Sequence, residues 1–233
     1  MSLVFVRHGE SSGNVMIRNG QFDPGTPNHE YPLTEKGVEQ ARFAGQFLAE
    51  RFARPEFYFS TALTSDLLRA TMTTDIILSI MRGVGPAPNK CLADSRLNEK
   101  WDGIFHDLGD RKVKELYPDQ VRMRQKNGYW LYRAPGGENC PDVELRIRSF
   151  LRDYWDDMTC RHLLIVGHGR WFLIFQKLFH SWSVGRFLEE KDKANCHNCS
   201  VFVYSSMALR KKDPPDRFLP WEGRLDYNET QFA

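Results

Sequence analysis

Two histidine-centred clusters stand out in the chain: Arg7-His8-Gly9-Glu10-Ser11, with Asn14 three residues on, and Gly167-His168-Gly169. Between them lie Arg69, shortly after Ser65, and Glu99 in Leu97-Asn98-Glu99. Two histidines, two arginines and a carboxylate suit phosphoryl transfer if the fold brings them to one pocket. Guanidinium forks pair with phosphate oxygens. A neutral imidazole can attack phosphorus and hold it covalently, and a carboxylic acid can hand a proton to the departing oxygen. The glycines beside His168 let backbone amides approach a ligand closely. Taken singly, each feature has an ordinary reading: a structural histidine, a helix-surface arginine, a solvated loop carboxylate. Their combination carries the argument.

The elements that must position these residues can be read from the apolar pattern. Ser2 to Val6 and His162 to Val166 are short apolar runs that read as buried strands, and each ends directly at a histidine cluster. Phe57 to Ser60 and Ser200 to Ser205 are further strand candidates. Helices are expected from Thr34 to Pro55, with Val38, Ala41, Gly45, Leu48 and Phe52 on the buried face, and from Leu63 to Ile80, with Leu67, Ala70, Ile77 and Met81 on one stripe. Two more are expected over 141–158, marked by Leu145, Phe150, Tyr154 and Trp155, and over 170–179. Asn19-Gly20, Pro24-Gly25, Pro27 and Pro32 mark a long loop, and the stretch from Leu92 to Arg133 is poorly periodic. Strands alternating with helices predict an α/β fold, a three-layer α/β/α sandwich around a mostly parallel sheet. In such sheets ligands gather beyond the carboxyl ends of the strands, where His8 and His168 both fall. The domain is drawn over residues 1–207, and residues 208–233 read as a Pro-rich tail that docks on it through Phe218, Leu219 and Trp221.

Composition narrows the function classes. The chain has 233 residues, 41% hydrophobic and 27% charged, which suits one sizeable globular domain. A net charge of +2 offers no bulk basic field for nucleic acid, and the apolar runs are too short to cross a bilayer. Five cysteines, an odd number, suit a reducing cytoplasm better than a disulfide framework. Cys196-His197-Asn198-Cys199 is half of a zinc site without its second pair, so no metal and no cofactor are expected.

The ordered motifs resemble those of the histidine phosphatase superfamily, in the branch containing phosphoglycerate mutases. Pro32-Leu33-Thr34 with Gly37, Gln40 and Ala41 is similar to the start of the family's first long helix. Ser65 with Leu68-Arg69-Ala70 and Thr73 is similar to its second-arginine segment, and Leu97-Asn98-Glu99 to its proton-donor loop. Pro135-Gly136-Gly137-Glu138 with Asp142 and Arg146, and then Val166-Gly167-His168-Gly169, extend the likeness over residues 1 to about 180. The resemblance implies a phosphoglycerate mutase-like fold and a set of roles. His8 becomes phosphorylated; Arg7, Arg69 and His168, helped by Asn14 and a backbone amide near Gly169, clamp the phosphoryl oxygens; Glu99 is the general acid and later the base that activates water. Glu10 is ambiguous between the site and the scaffold. With His8 neutral and Glu99 protonated for the first step, a bell-shaped rate profile on the mildly acidic to neutral side is expected for alkyl phosphates.

Two positions depart from the family pattern. Met72 stands where the family often has Gln and reads as a packing residue. After Glu99, Lys100-Trp101-Asp102-Gly103 replaces the residues with which mutases grip a phosphorylated three-carbon acid, and Asp102 is a poor neighbour for such an anion. The chain therefore looks closer to the broad-specificity phosphatases, acting without metal on a small phosphorylated substrate or a phosphoprotein. A phosphoglycerate mutase and a non-catalytic binding module are the alternatives. Arg122, Arg124 and Lys126, with Trp130 and Tyr132, read as a solvated face or as a pocket rim for a large or phosphorylated leaving group.

Overall fold

A computed structural model describes residues 2–222, apart from 22, 24, 54–57, 89, 161 and 194–195. Its centre is a six-stranded sheet built from β1 (Ser2–Arg7), β2 (Thr61–Thr64), β3 (Lys90–Ala93), β4 (His162–Gly167), β5 (Val201–Ser205) and β6 (Asp216–Phe218), in the order β3-β2-β4-β1-β5-β6. The pairings from β3 to β1 are parallel, and those of β5 with β1 and β6 are antiparallel. The sheet is mostly parallel, as the alternation of elements predicts.

Alternation along the central strands separates two cores. Leu3, Phe5, Leu163 and Ile165 face α6 (Cys140–Cys160) and α7 (Gly169–Phe179), packing on Val143, Ile147, Phe150, Trp171, Phe172 and Phe175. Val4, Val6, Leu164 and Val166 face α2 (Glu35–Phe52) and α3 (Leu68–Val84), packing on Ala41, Ala44, Leu48, Ala70, Ile77 and Met81. A strand covered on both faces must be apolar at every position, which is why β1 and β4 read as unbroken runs. Met72 packs against the second core.

Several expectations need correction. The strand after α2 is Thr61–Thr64, not 57–60, and the following helix starts at Leu68, so Leu63 belongs to the sheet. Residues 55 and 57 lie outside the described residues. Thr64 is buried at a strand end because its hydroxyl accepts from Thr74 at 2.9 Å, a contact that apolar periodicity does not register. On α6 the buried face is Val143, Ile147 and Phe150, while Leu145 and Trp155 are exposed. The region from 92 to 133 contains α4 (Ile104–Leu116) and α5 (Pro118–Leu131), which turn aside at Gly109 (φ 71°) and Gly128 (φ 69°) and so break any simple period. Short helices α1 (Ser12–Arg18) and α8 (Val184–Asp192) complete the cover. Beyond β5, α9 (Ser206–Lys211) leads to β6, and Trp221 packs edge-on against Phe43 of α2 at 5.3 Å between centroids. Residues 223–233 of the expected tail lie outside the described residues. No described helix is long and apolar enough to cross a membrane.

Candidate active site

The register of β1 on β4 pairs Arg7 with Gly167, so the next residue of each strand, His8 and His168, emerges at the same level. Their rings lie 5.0 Å apart at 58°, both buried. The His8 amide donates to the Gly167 carbonyl at 2.9 Å. His8 Nδ1 lies 2.7 Å from the Gly9 carbonyl oxygen. A carbonyl can only accept, so Nδ1 carries the proton and Nε2 carries the lone pair. Burial, then the charges of Arg69 and Arg7, hold the His8 pKa well below its usual 6.5, so the ring is neutral in neutral solution.

The backbone around His8 is fixed from outside. The Gly9 amide donates to Thr73 Oγ1 at 3.0 Å, and that hydroxyl donates to the Arg69 carbonyl at 2.7 Å. At the start of α2, a Cβ on Gly37 would lie 2.0 Å from the Glu10 carbonyl oxygen, so only glycine allows this approach. Glu10 turns away from His8. Its amide donates to Gln40 Oε1 at 2.8 Å, and its carboxylate takes Thr34 Oγ1 at 3.1 Å and Arg18 Nη1 at 2.9 Å. It belongs to the scaffold.

Arg7, His8, Asn14, Arg69 and Glu99 all line one cavity of about 1150 Å³. Arg7 Nη1 donates to the Cys196 carbonyl, while its Nε is buried without a hydrogen-bond partner. Arg69, the second residue of α3, donates to Asn28 O at 2.8 Å and Asn28 Oδ1 at 3.2 Å. Its pKa falls to about 10, chiefly through burial, with Glu99 opposing the shift, so it stays cationic at neutral pH. The Asn14 carboxamide oxygen accepts from Ser11 N and Asn198 Nδ2, each at 3.2 Å, which leaves the NH₂ end for the cavity. A Cβ on Gly169 would sit 3.5 Å from Arg7 Nε, so the first turn of α7 runs directly beside that guanidinium.

On the opposite wall, Glu99 Oε1 accepts from Lys100 N at 2.8 Å and Oε2 accepts from Arg170 N at 3.3 Å. Asp102 accepts from Lys100 Nζ at 2.7 Å and also from Arg170 Nη1. Burial works to raise the Asp102 pKa, but Arg170 and Lys100 outweigh it and lower it. Asp102 thus engages both cations, and Arg170 Nε also lies 3.7 Å from Glu99 Oε1. Of the basic run, Arg124 and Tyr132 line the cavity; Arg122 pairs with exposed Asp119, Lys126 is exposed, and Trp130 packs on Phe187. Phe105, beneath the Arg124 guanidinium at 4.8 Å, and Tyr129 add aromatic wall.

Sequence reading missed Arg170 and Asn198. Arg170 carries a legible signal, because like Arg69 it is the second residue of a helix, where the macrodipole disfavours a cation unless an anion compensates. Asn198 carries none: it acts through its fold position, donating to His8 O at 2.9 Å and to Asn14. Its neighbours Cys196 and Cys199 are free thiols, and among the described residues no three or more His, Cys, Asp or Glu side chains are grouped to hold a metal ion.

Known proteins resemble this chain in sequence and in fold. The sequence pattern of the histidine phosphatase superfamily (branch 1) matches residues 3–208. Phosphoglycerate mutase-like protein AT74H of Arabidopsis thaliana is 30% identical over 220 residues, covering 83% of this chain and 71% of that protein. A 2,3-bisphosphoglycerate-dependent phosphoglycerate mutase of Methylobacterium radiotolerans is 34% identical over 146 residues, 62% of each chain. Among solved structures, the alpha-ribazole phosphatase of Shigella flexneri superposes with a TM-score of 0.67 at 19% identity, covering 88% of this chain and 90% of that one, which supports the fold. With most of its length matched by the family pattern and its strand order arranged around paired histidines, the chain belongs to branch 1 of the histidine phosphatase superfamily.

Proposed function

We propose that the chain is a phosphatase that hydrolyses phosphomonoesters through a phospho-His8 intermediate. The observation that carries this reading is the His8 tautomer: with Nδ1 donating to the Gly9 carbonyl, the Nε2 lone pair is the one free to attack. In the first step the Nε2–P bond forms and the P–O bond to the leaving group breaks, with Glu99 giving its proton to the departing oxygen. In the second, water attacks phosphorus, its proton passes to Glu99, and the Nε2–P bond breaks to release phosphate. Arg7, Arg69 and His168, with Asn14 and the backbone at Gly169, hold the equatorial oxygens, where charge spreads in the transition state. The reading asks for no metal and no cofactor.

The substrate is a small phosphorylated molecule or a phosphoprotein, and nucleic acid and membrane are not partners. The free thiols of Cys91, Cys140, Cys196 and Cys199 support placement in the reducing cytoplasm.

The mutase relative favours a second reading, a phosphoryl-transfer isomerase using the same covalent step. Against it stands Asp102, which engages Lys100 and Arg170, two of the cations that line the cavity beside Glu99. Phosphate release from a panel of phosphomonoesters in EDTA, including 3-phosphoglycerate with its bisphosphate primer, separates the two. Hydrolysis of several members without 2-phosphoglycerate supports the phosphatase. Primer-dependent conversion without net phosphate release overturns it.

A further inference from the structure

His168 is wholly buried, and its two ring nitrogens have unlike surroundings. Nδ1 has no hydrogen-bond partner. Nε2 lies 2.8 Å from Ser65 Oγ. The polarity of that contact is set two bonds further along. Asn98 Nδ2 donates to Asp66 Oδ2 at 3.2 Å, which orients the amide, and Asn98 Oδ1 accepts from Asp66 N at 2.9 Å. Asn98 Oδ1 can therefore only accept, and it lies 2.8 Å from Ser65 Oγ, so the single hydroxyl proton of Ser65 points there. With Leu67 N donating to it at 3.2 Å, Ser65 Oγ meets His168 with a lone pair. His168 must donate from Nε2, and in the neutral ring this leaves a lone pair on Nδ1.

The surroundings of the ring favour its neutral form. Burial foremost, then Arg69 on α3, His8 and Arg7 at the end of β1, and Arg146 on α6 all disfavour its cation. A lone pair cannot donate to an anionic oxygen. We infer that Asn98 and Ser65 are positioning residues that hold His168 as the Nε2–H tautomer, so that the site takes up a proton at Nδ1 when a phosphoryl dianion binds. The proton comes from solvent or buffer, or from the ligand itself where it arrives as the monoanion. It converts the Nδ1 lone pair into an N–H that donates to a phosphoryl oxygen, and it leaves when phosphate leaves. The inference rests on the phosphoryl-site reading above, but it needs no turnover to be tested.

The test is calorimetric titration of the full chain with inorganic phosphate at about pH 8.5, where free phosphate is a dianion, in buffers of different ionisation enthalpy. The wild type is expected to take up about one proton per phosphate bound. Ser65→Ala removes the acceptor, and Asn98→Leu lets the Ser65 hydroxyl turn and donate to Nε2. Each makes the Nδ1–H tautomer available, so phosphate should still bind while proton uptake falls towards zero and the Kd loses its rise with pH. A merely structural role would weaken binding and leave uptake unchanged. Nitrogen-15 NMR of the wild type reads the same event directly, with Nδ1 of His168 unprotonated when empty and protonated with phosphate. Phosphate binding without uptake, uptake that survives in both variants, or a protonated Nδ1 in the empty site overturns the inference and leaves the phosphatase reading standing. Failure to bind phosphate, together with failure to hydrolyse any ester, overturns both.

Discussion

The two ends of the cavity are built differently. At the inner end, His8, Arg7 and Arg69 line the cavity at the termini of β1 and α3, with His168 buried beside His8 at the end of β4, and all are held by hydrogen bonds to residues distant in sequence, such as Gly9 to Thr73 and His168 to Ser65. The outer end is lined by α4 and α5, which bend at positive-φ glycines and leave Leu116, Met123 and Leu131 exposed. The inner end has backbone in near-contact with backbone, and substitution there must displace the fold. At the outer end the bend at Gly128 has open space around it. The division teaches that the phosphoryl chemistry is fixed by the sheet, while the shape offered to the leaving group is set by an excursion that can vary without disturbing it.

Substitutions can break this comparison in order of expected size. His8→Ala should lower phosphate release by about 10⁴-fold or more, since it removes the nucleophile from an otherwise intact clamp. Glu99→Gln should slow alkyl phosphates by about 10²- to 10⁴-fold and aryl phosphates far less, because an aryl oxide leaves without a proton. Equal slowing of both substrate types in steady-state assays would remove Glu99 from the acid role.

The outer wall should respond in selectivity rather than in rate. Asp102→Asn releases Lys100 and Arg170 from their shared carboxylate. We expect kcat/KM for 3-phosphoglycerate to rise by about tenfold relative to an uncharged alkyl phosphate. An unchanged ratio would mean that the two cations do not reach the leaving group.

Stability offers a contrast independent of catalysis. Gly37→Ala places a Cβ 2.0 Å from the Glu10 carbonyl oxygen, with an expected loss of about 3 kcal/mol. Gly128→Ala meets no atom within 4 Å and carries only the cost of its φ of 69°, about 1 kcal/mol. Denaturant unfolding compares the two, and a reversed order would contradict the division into a fixed inner end and a roomy outer one.

The smallest effect is in pH. The His8 pKa is depressed, so below its usual 6.5 the ring still keeps its lone pair. Corrected for substrate ionisation, kcat/KM for an aryl phosphate should hold as pH falls through 6.5 and decline only further into acid. A loss centred at or above that value would show that burial and the charges of Arg69 and Arg7 do not act on the nucleophile as their placement implies.

The same contrast explains what the sequence made legible. β1 and β4 are readable because burial on both faces demands Leu3 to Val6 and Leu163 to Val166 without a polar break. They end at the histidines, so the inner site comes with them. β2 and β3 are four residues each, and β2 begins and ends on Thr61 and Thr64, of which Thr64 carries a hydroxyl that a folded neighbour satisfies, so their apolar signal is thin. Leu145 and Trp155 fall on a helical period yet face outward, because the buried phase of α6 is set by Val143, Ile147 and Phe150 against the sheet. Arg170 was open to discovery as a cation at the wrong end of a helix. The contacts of Asn198 and of the Ser65–Asn98 pair were not, since they form only once loops far apart in sequence meet.

The central claim is the covalent step at His8, and a rapid-quench experiment with a radiolabelled phosphomonoester tests it most directly. A burst of label bound to protein is expected, stable in alkali and lost in acid, mapping to the peptide that contains His8 and absent from His8→Ala. Label on another residue, or turnover by His8→Ala at a rate near the wild type, would contradict it.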